Sequence, residues 1–176
     1  MTDQELLDAL REHAYLEGDF VLRSGRRSRY YLDKYRFETR PDLLEEIGRR
    51  IAVCVAKVEP RADRLAGPEL GAVALAAAAS IASRLPFLIV RKESKEYGTA
   101  QRIEGEYRPG EVVCLVEDVV TTGGAALEAV HALRAAGLEC RNAICVVDRE
   151  EGGPDELARA AVRLWPLFLA RDIRDT

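Results

Sequence analysis

Two neighbouring acidic residues followed by a Thr/Gly run are the part of this sequence that most clearly indicates chemistry. They are Glu117-Asp118 and then Thr121-Thr122-Gly123-Gly124. Backbone N–H groups at the start of a helix bind anions, and threonine hydroxyls add further donors. Carboxylates repel an anion, so the acidic pair suits the hydroxyls of a sugar or a metal ion beside it. The pattern therefore predicts a site for a phosphorylated sugar.

A buried strand and a helix are predicted to position these residues. The apolar run 112–116 is typical of a parallel strand covered on both faces, and we expect it to end at the acidic pair. A helix is predicted over 124–136, which places the site at the carboxyl end of a strand, where open α/β sheets bind ligands. The alternative is an ordinary strand, loop and capped helix without a ligand. Neither GxxxxGK[ST] nor a GxGxxG after a predicted strand occurs, so nucleoside triphosphate and dinucleotide sites lack motif support.

The rest of the chain alternates between predicted helices and strands. Further helices are predicted over 3–13, 41–57, 71–84 and 155–161, and further strands over 20–22, 30–32, 64–66, 87–90, 143–147 and 164–169. This alternation indicates βαβ units and a parallel sheet. Residues 91–110 are charged and lack an apolar period, and we interpret them as a lid that excludes water. A plain surface hairpin is the alternative.

The length and composition of the chain limit the classes of protein to which it can belong. The 176 residues suit one domain, and the net charge of -4 gives no general attraction to nucleic acid. No apolar run approaches the ~20 residues of a membrane span and the N-terminus lacks a basic region, so we expect a cytoplasmic protein. The four cysteines form no CxxC and are expected to be reduced and mostly buried. The two histidines do not form a zinc motif with them.

Lysine is rare in this sequence. There are 22 arginines and 4 lysines, a ratio for which genome composition is the ordinary explanation. Lys34, Lys92 and Lys95 nevertheless lie in segments with candidate site residues, whereas Lys57 does not. A lysine kept where arginine is preferred indicates a site that needs a compact, mobile charge.

A basic run directly follows the predicted strand 87–90. Arg91, Lys92 and Lys95 place three cations within five residues, which suits a diphosphate leaving group whose charge grows as its bond breaks. A solvated charged surface is the alternative.

Five segments together resemble a known family. They are FVLRSGRRSRYYLD at 20–33, AGPELG at 66–71, RKESKEYG at 91–98, EDVVTTGGA at 117–125 and VDREEGG at 147–153. In this order they are similar to the motifs of orotate phosphoribosyltransferases, which are type I phosphoribosyltransferases. The likeness runs from about residue 17 to residue 153.

The resemblance implies a fold, a reaction and partners. The fold is an α/β domain over residues 1–176, with a parallel sheet flanked by helices, a small N-terminal hood and a flexible catalytic loop. The reaction transfers the phosphoribosyl group of 5-phosphoribosyl 1-diphosphate to orotate, giving orotidine 5′-monophosphate and diphosphate in pyrimidine (UMP) biosynthesis. Mg²⁺ is the implied cofactor, and a homodimer is implied in which the catalytic loop reaches the neighbouring subunit. Because the chain ends at Thr176, we expect no fused decarboxylase domain.

The resemblance also implies roles for individual residues. Those implied to bind phosphoribosyl diphosphate are Arg91, Lys92, Lys95, Glu117, Asp118, Val119, Val120, Thr121, Thr122, Gly123, Gly124 and Ala125. Those implied to be catalytic are Arg91, Lys92, Lys95 and Asp118. Those implied to contact orotate are Arg27, Thr121 and Arg149, and no protein residue is assigned as a metal ligand.

Several positions depart from the family pattern. Leu70-Gly71 supplies no lysine where some members place one against the diphosphate, Ala125 removes a hydroxyl, and Tyr97 stands where many relatives have histidine. A purine phosphoribosyltransferase is the nearest enzymatic alternative, although DREEGG and the start of the chain argue against it. A non-catalytic regulator that senses phosphoribosyl diphosphate is a second alternative, and a purely structural domain is a third.

Overall fold

The N-terminal region forms a small hood of one helix, one hairpin and one short helix. The computed structural model describes residues 1–21, 25, 27–93 and 102–174. Helix α1 (Asp3–Ala14) begins at a capping box, in which the Thr2 hydroxyl accepts from the Glu5 amide and the Glu5 carboxylate accepts from the Thr2 amide. Strands β1 (Tyr15–Val21) and β2 (Arg27–Leu32) then pair antiparallel, and α2 (Lys34–Glu38) follows directly.

A six-stranded sheet lies beneath the hood. Its strands, in chain order, are β3 (Arg64–Pro68), β4 (Phe87–Val90), β5 (Ile103–Glu104), β6 (Val112–Val120), β7 (Glu139–Asp148) and β8 (Arg163–Leu169). The spatial order is β5-β4-β3-β6-β7-β8, and every neighbouring pair is parallel except β4 with β5. The carboxyl ends of β3, β4, β6 and β7 therefore meet at one edge of the sheet.

Helices cover both faces of this sheet. One apolar cluster packs α3 (Pro41–Val58) and α4 (Val73–Ser83) against Cys114 and Val116 of β6. The other packs α5 (Gly124–Ala135) and α6 (Gly153–Arg159) against Val113 and Leu115 of the same strand. Alternate residues of β6 thus enter opposite cores, which explains its continuous apolar sequence. Helix α7 (Ala170–Arg174) ends the described chain.

Most predicted elements are confirmed, and the differences have local reasons. The predicted β6 was too short: pairing with β7 continues through Glu117 to Val120, so the strand does not end at the acidic pair. Strand β5 pairs antiparallel at the sheet edge, so the sheet is mostly rather than entirely parallel. The short elements α2, β5 and α7 carry too few residues for a periodic signal. The lid hypothesis for 91–110 stays a prediction, because residues 94–101 lie outside the described residues.

Two expectations from composition can be compared with the structure. All four cysteines are free, and Cys114, Cys140 and Cys145 are buried, as predicted. Among the described helices, none combines the length and the apolar character needed to cross a membrane.

Candidate active site

The acidic pair lies inside a strand, where neighbouring strands fix its backbone. Glu117 pairs with Cys145 across the β6–β7 ladder, and Val119 and Val120 continue that ladder. Glu117 and Asp118 are both buried, with 7% and 4% of their surface exposed. Ladder hydrogen bonds hold these two carboxyl groups more firmly than a loop would, so the site presents them in a preformed position.

Asp118 is neutralised by a lysine from the hood. Its Oδ2 forms an ion pair with the ammonium of Lys34, the first residue of α2. Burial alone would lower the pKa of Lys34, but the adjacent Asp118 carboxylate outweighs it, and the pKa is raised. A Cβ atom at Gly71 would overlap both the Asp118 carboxylate and the Lys34 ammonium, so this pair needs glycine at the turn after β3.

Two further carboxyl groups next to this pair resist ionisation. Burial, followed by the charge of Asp118, raises the pKa of Glu117 to about 8. The same two causes raise the pKa of Glu38, on α2, to about 8. One oxygen of each residue, Oε1, is buried without a hydrogen-bond partner among the described residues. We call Lys34, Glu38, Glu117 and Asp118 the acidic cluster, in which Asp118 is the carboxylate that pairs with the lysine.

Residues 121–125, which we call the phosphate loop, present backbone N–H groups to solvent. Thr121, Thr122, Gly124 and Ala125 are exposed. Gly123 has φ 88°, a left-handed conformation that glycine adopts without strain, and its carbonyl accepts the first α5 hydrogen bond from Leu127 at 2.9 Å. The amides of residues 124–126 therefore have no acceptor within the helix. Nothing lies within 4 Å of a Cβ placed at Gly124, so a ligand can approach them.

The DREEGG segment packs directly against the phosphate loop. It begins at the end of β7, and the Arg149 amide donates to the Val120 carbonyl at 2.8 Å. A Cβ at Gly153 would overlap the Val120 side chain and lie 2.9 Å from the Thr121 carbonyl oxygen. Two motifs that are separated in sequence by most of α5 and β7 thus form one wall of the site.

Arg149 is held under the hood. Only 9% of its surface is exposed, its Nε lies 3.1 Å from Oε1 of Glu151, and its guanidinium lies 4.5 Å from the centre of the Tyr30 ring. Tyr30 also stacks on Tyr15 at 5.4 Å. A guanidinium fixed by a carboxylate and an aromatic face can bind a flat anionic ligand with two parallel hydrogen bonds.

The basic run begins at the same edge of the sheet. Arg91 pairs with the edge strand, donating its amide to Arg102 at 2.7 Å, and its Nη1 lies 3.7 Å from Glu104. The Lys92 amide donates to Oε1 of Glu69 at 2.8 Å, which ties the run to the turn after β3, while the Lys92 side chain is exposed. Lys95 lies outside the described residues, so the structure does not test its predicted role.

Arg27 is separated from the other predicted orotate residues. It lies beside the hairpin turn with its side chain 77% exposed and forms an ion pair with Asp19 at 3.0 Å. Alternation along β2 places it on the opposite face from Tyr30, the hood residue that contacts Arg149. Arg27 lines a cleft of about 830 Å³, and all of the described residues that line this cleft belong to the hood rather than to the phosphate loop.

Three site residues lay outside the roles expected from the sequence. Tyr30 belongs to the 20–33 motif but was given no role of its own, and Glu38 carried no signal, because a glutamate in a helix is ordinary. Lys34 was marked by the scarcity of lysine, but its contact with Asp118, 84 residues away, could not be read from spacing.

The described residues contain no group of three or more His, Cys, Asp or Glu side chains that could hold a metal ion. Mg²⁺ commonly takes most of its ligands from water and substrate phosphates. The described residues fit an ion held in that way, since the buried Glu117 Oε1 has no hydrogen-bond partner among them and is free to meet it.

Comparison with known proteins matches this architecture to a family. The model of the phosphoribosyl transferase domain matches residues 36–164. An orotate phosphoribosyltransferase of Methanocella arvoryzae is 49% identical over 173 residues, covering 97% of each chain. The chain belongs to the orotate phosphoribosyltransferase family.

Solved structures agree with this family assignment. The orotate phosphoribosyltransferase of Aeropyrum pernix superposes with a TM-score of 0.86 at 32% identity, covering 97% of this chain and 96% of the other. That of Mycobacterium tuberculosis, in complex with 5-phospho-α-D-ribosyl 1-diphosphate, gives 0.82 at 30% identity over 98% of each chain. The α/β architecture expected of a type I phosphoribosyltransferase is thereby confirmed.

Proposed function

We propose that this protein transfers the phosphoribosyl group of 5-phosphoribosyl 1-diphosphate to orotate, forming orotidine 5′-monophosphate in pyrimidine biosynthesis. In this reaction the bond between the anomeric carbon and the diphosphate oxygen breaks, and diphosphate leaves with the electron pair. Orotate N1 forms the new bond to that carbon and loses its proton. One observation supports the proposal most strongly. A buried carboxylate pair, an exposed Thr/Gly loop and the arginine of DREEGG all lie at the same edge of the sheet.

The sugar phosphate binds through residues of β6 and α5. The 5′-phosphate accepts hydrogen bonds from the phosphate loop, with the Thr121 and Thr122 hydroxyls, the amides of Gly123, Gly124 and Ala125, and the start of α5 as donors. Val119 and Val120 contribute backbone only, since they belong to the strand. Glu117 and Asp118 accept hydrogen bonds from the ribose hydroxyls, which fixes the anomeric carbon relative to the second substrate.

The diphosphate binds to the basic run. Arg91, Lys92 and Lys95 place positive charge where negative charge grows as the bond breaks, so they stabilise the transition state more than the ground state. Mg²⁺ at this site, where Glu117 offers a buried oxygen without a hydrogen-bond partner among the described residues, would supply additional charge neutralisation for the leaving group. Exclusion of water by the segment after Arg91 would protect the ribose electrophile from hydrolysis.

Orotate binds between the sheet edge and the hood. Arg149 meets its carboxylate or imide, and Thr121 lies on the phosphate-loop side of the same pocket. Support comes from the fixed guanidinium of Arg149 against Tyr30. Arg27 is assigned to orotate on the family resemblance alone, because its side chain faces solvent.

Three wider properties complete the proposal. Residues 1–176 act as one phosphoribosyltransferase domain in the cytoplasm. Two copies form a homodimer, with the catalytic loop of each reaching the other's site. Exposed apolar side chains at Leu70 and Ile81, 69% and 71% accessible, are consistent with a surface that a second copy covers.

The decisive experiment follows the ultraviolet absorbance of orotate with purified protein, phosphoribosyl diphosphate and Mg²⁺. We expect orotate consumption that requires the sugar diphosphate and stops when the metal is chelated. Parallel reactions with adenine and hypoxanthine test the purine alternative, and turnover of either in place of orotate would overturn the substrate assignment. Binding of phosphoribosyl diphosphate without turnover of any base would instead favour the regulator.

A further inference from the structure

One cation of the site belongs to none of the motifs. Lys34 lies on α2, which follows the hood hairpin, and its ammonium contacts the buried Asp118 carboxylate. Glu38 lies four residues further on the same helix, so one face of α2 carries both side chains towards β6. The hood thus contributes a charged face to the sheet edge as well as a cover.

The position of the ammonium is fixed by the turn after β3. It lies where a side chain at Gly71 would begin, since a Cβ there would overlap it. The same turn accepts the Lys92 amide through Glu69. Because β3 lies between β4 and β6, this turn separates the basic run after β4 from Asp118 on β6. The Lys34 ammonium therefore lies between the groups proposed to bind the diphosphate and the ribose.

The position of the Lys34 ammonium affects the charge that a substrate meets in the site. Glu38, Glu117 and Asp118 are all at least 93% buried, and within the part of the chain that the structure describes Lys34 is the cation that pairs with one of them. An unneutralised Asp118 would repel a substrate that carries a diphosphate and a phosphate. The Lys34 side chain is 30% exposed, so its ammonium can reach a ligand in the site. Its flexible stem allows a change of partner without movement of the backbone.

We propose that Lys34 is a substrate-binding residue that exchanges partners, pairing with Asp118 in the empty site and with diphosphate oxygens when ribose hydroxyls occupy Asp118. This inference rests on the proposed function, because it takes phosphoribosyl diphosphate as the ligand. It adds a binding residue from an element that carries none of the motif residues.

The test compares Lys34→Met with Lys57→Ala, an exposed lysine on α3. Methionine keeps the length of the stem and removes the charge. We expect the Kd of phosphoribosyl diphosphate with Mg²⁺, measured by calorimetry without orotate, to rise about tenfold or more, the effect of losing one charge-assisted contact. The KM for phosphoribosyl diphosphate should rise in parallel while the KM for orotate stays within about twofold. Lys57→Ala should match the wild type.

A second ligand separates binding from folding, since Asp118 without its cation could destabilise the chain. Ribose 5-phosphate carries the ribose hydroxyls and the 5′-phosphate but no diphosphate. We expect Lys34→Met to change the Kd of ribose 5-phosphate by less than about threefold, whereas loss of a purely structural Lys34 would weaken the binding of both ligands alike. Unchanged affinity for phosphoribosyl diphosphate in folded Lys34→Met, or an equal loss of affinity for ribose 5-phosphate, overturns the inference. Failure of the wild type to consume orotate would overturn the proposed function instead.

Discussion

The phosphate loop and the acidic cluster are adjacent in the chain but are built in different ways. The loop is a backbone structure: glycine at 123 and the close approach of Gly153 give it its shape, and its side chains are exposed. The acidic cluster is a side-chain structure, in which α2 and β6 bring Lys34 and Asp118 together across 84 residues. Substitutions in the phosphate loop should therefore affect binding and stability by altering the shape of the backbone. Substitutions in the acidic cluster should affect them by altering charge.

Asp118→Asn should give the largest effect on turnover. Asparagine keeps the size of the side chain but loses the charge that pairs with Lys34 and the strong acceptor for a ribose hydroxyl. We expect kcat/KM for phosphoribosyl diphosphate to fall by about 100-fold or more. The melting temperature should change little, because the partly exposed Lys34 can be solvated. Steady-state kinetics and calorimetry measure both, with Asp8→Asn on α1 as an exposed control. Near-normal turnover would remove Asp118 from the site.

Gly153→Ala tests the shape of the loop. Its Cβ would overlap Val120 and press on the Thr121 carbonyl, so we expect a loss of about 2 kcal/mol in the free energy of unfolding. Gly124→Ala is the matched control, because nothing lies within 4 Å of its Cβ. It should keep full stability yet raise the KM for phosphoribosyl diphosphate, since the methyl group would stand where phosphate approaches. Equal stability of the two variants in urea unfolding would show that Gly153 does not pack against Val120 and Thr121 as described.

The same contrast explains how much the sequence could predict. The loop was predictable because its residues are consecutive, and glycine, threonine and a following helix each have a local physical reason to be there. The length of β6 was not, because only pairing with β7 shows that the strand continues beyond Glu117. The Lys34–Asp118 pair and the Tyr30–Arg149 contact were also inaccessible, since the path of α2 and the hairpin over the sheet depends on tertiary packing.

Lys92→Ala should have a smaller effect than Asp118→Asn. Its side chain is exposed, and its backbone amide ties the residue to Glu69 at the turn after β3. We expect about a tenfold rise in the KM for phosphoribosyl diphosphate and an unchanged melting temperature. Kinetics beside Lys57→Ala supply the comparison. An equal loss in both lysine variants would show that the effect comes from net charge rather than from position.

Glu38→Gln should have the smallest effect, on stability rather than on binding. The folded protein holds the Glu38 proton to a pKa of about 8, against an ordinary value of 4.5, because the side chain is buried beside Asp118. Between these two values the folded state binds more protons than the unfolded state, so stability falls as pH rises through this range. Glutamine resembles the protonated form and removes this loss.

The variant should melt with the wild type at pH 5. At pH 9 its free energy of unfolding should exceed that of the wild type by about 1–2 kcal/mol, which is less than the full pKa shift of Glu38 would give. Glu117 titrates in both proteins, and because Glu38 is the last of the causes that raise the pKa of Glu117, most of its effect cancels from the difference. A gain that is the same at pH 5 and pH 9 would mean that packing, and not charge, sets the effect of residue 38.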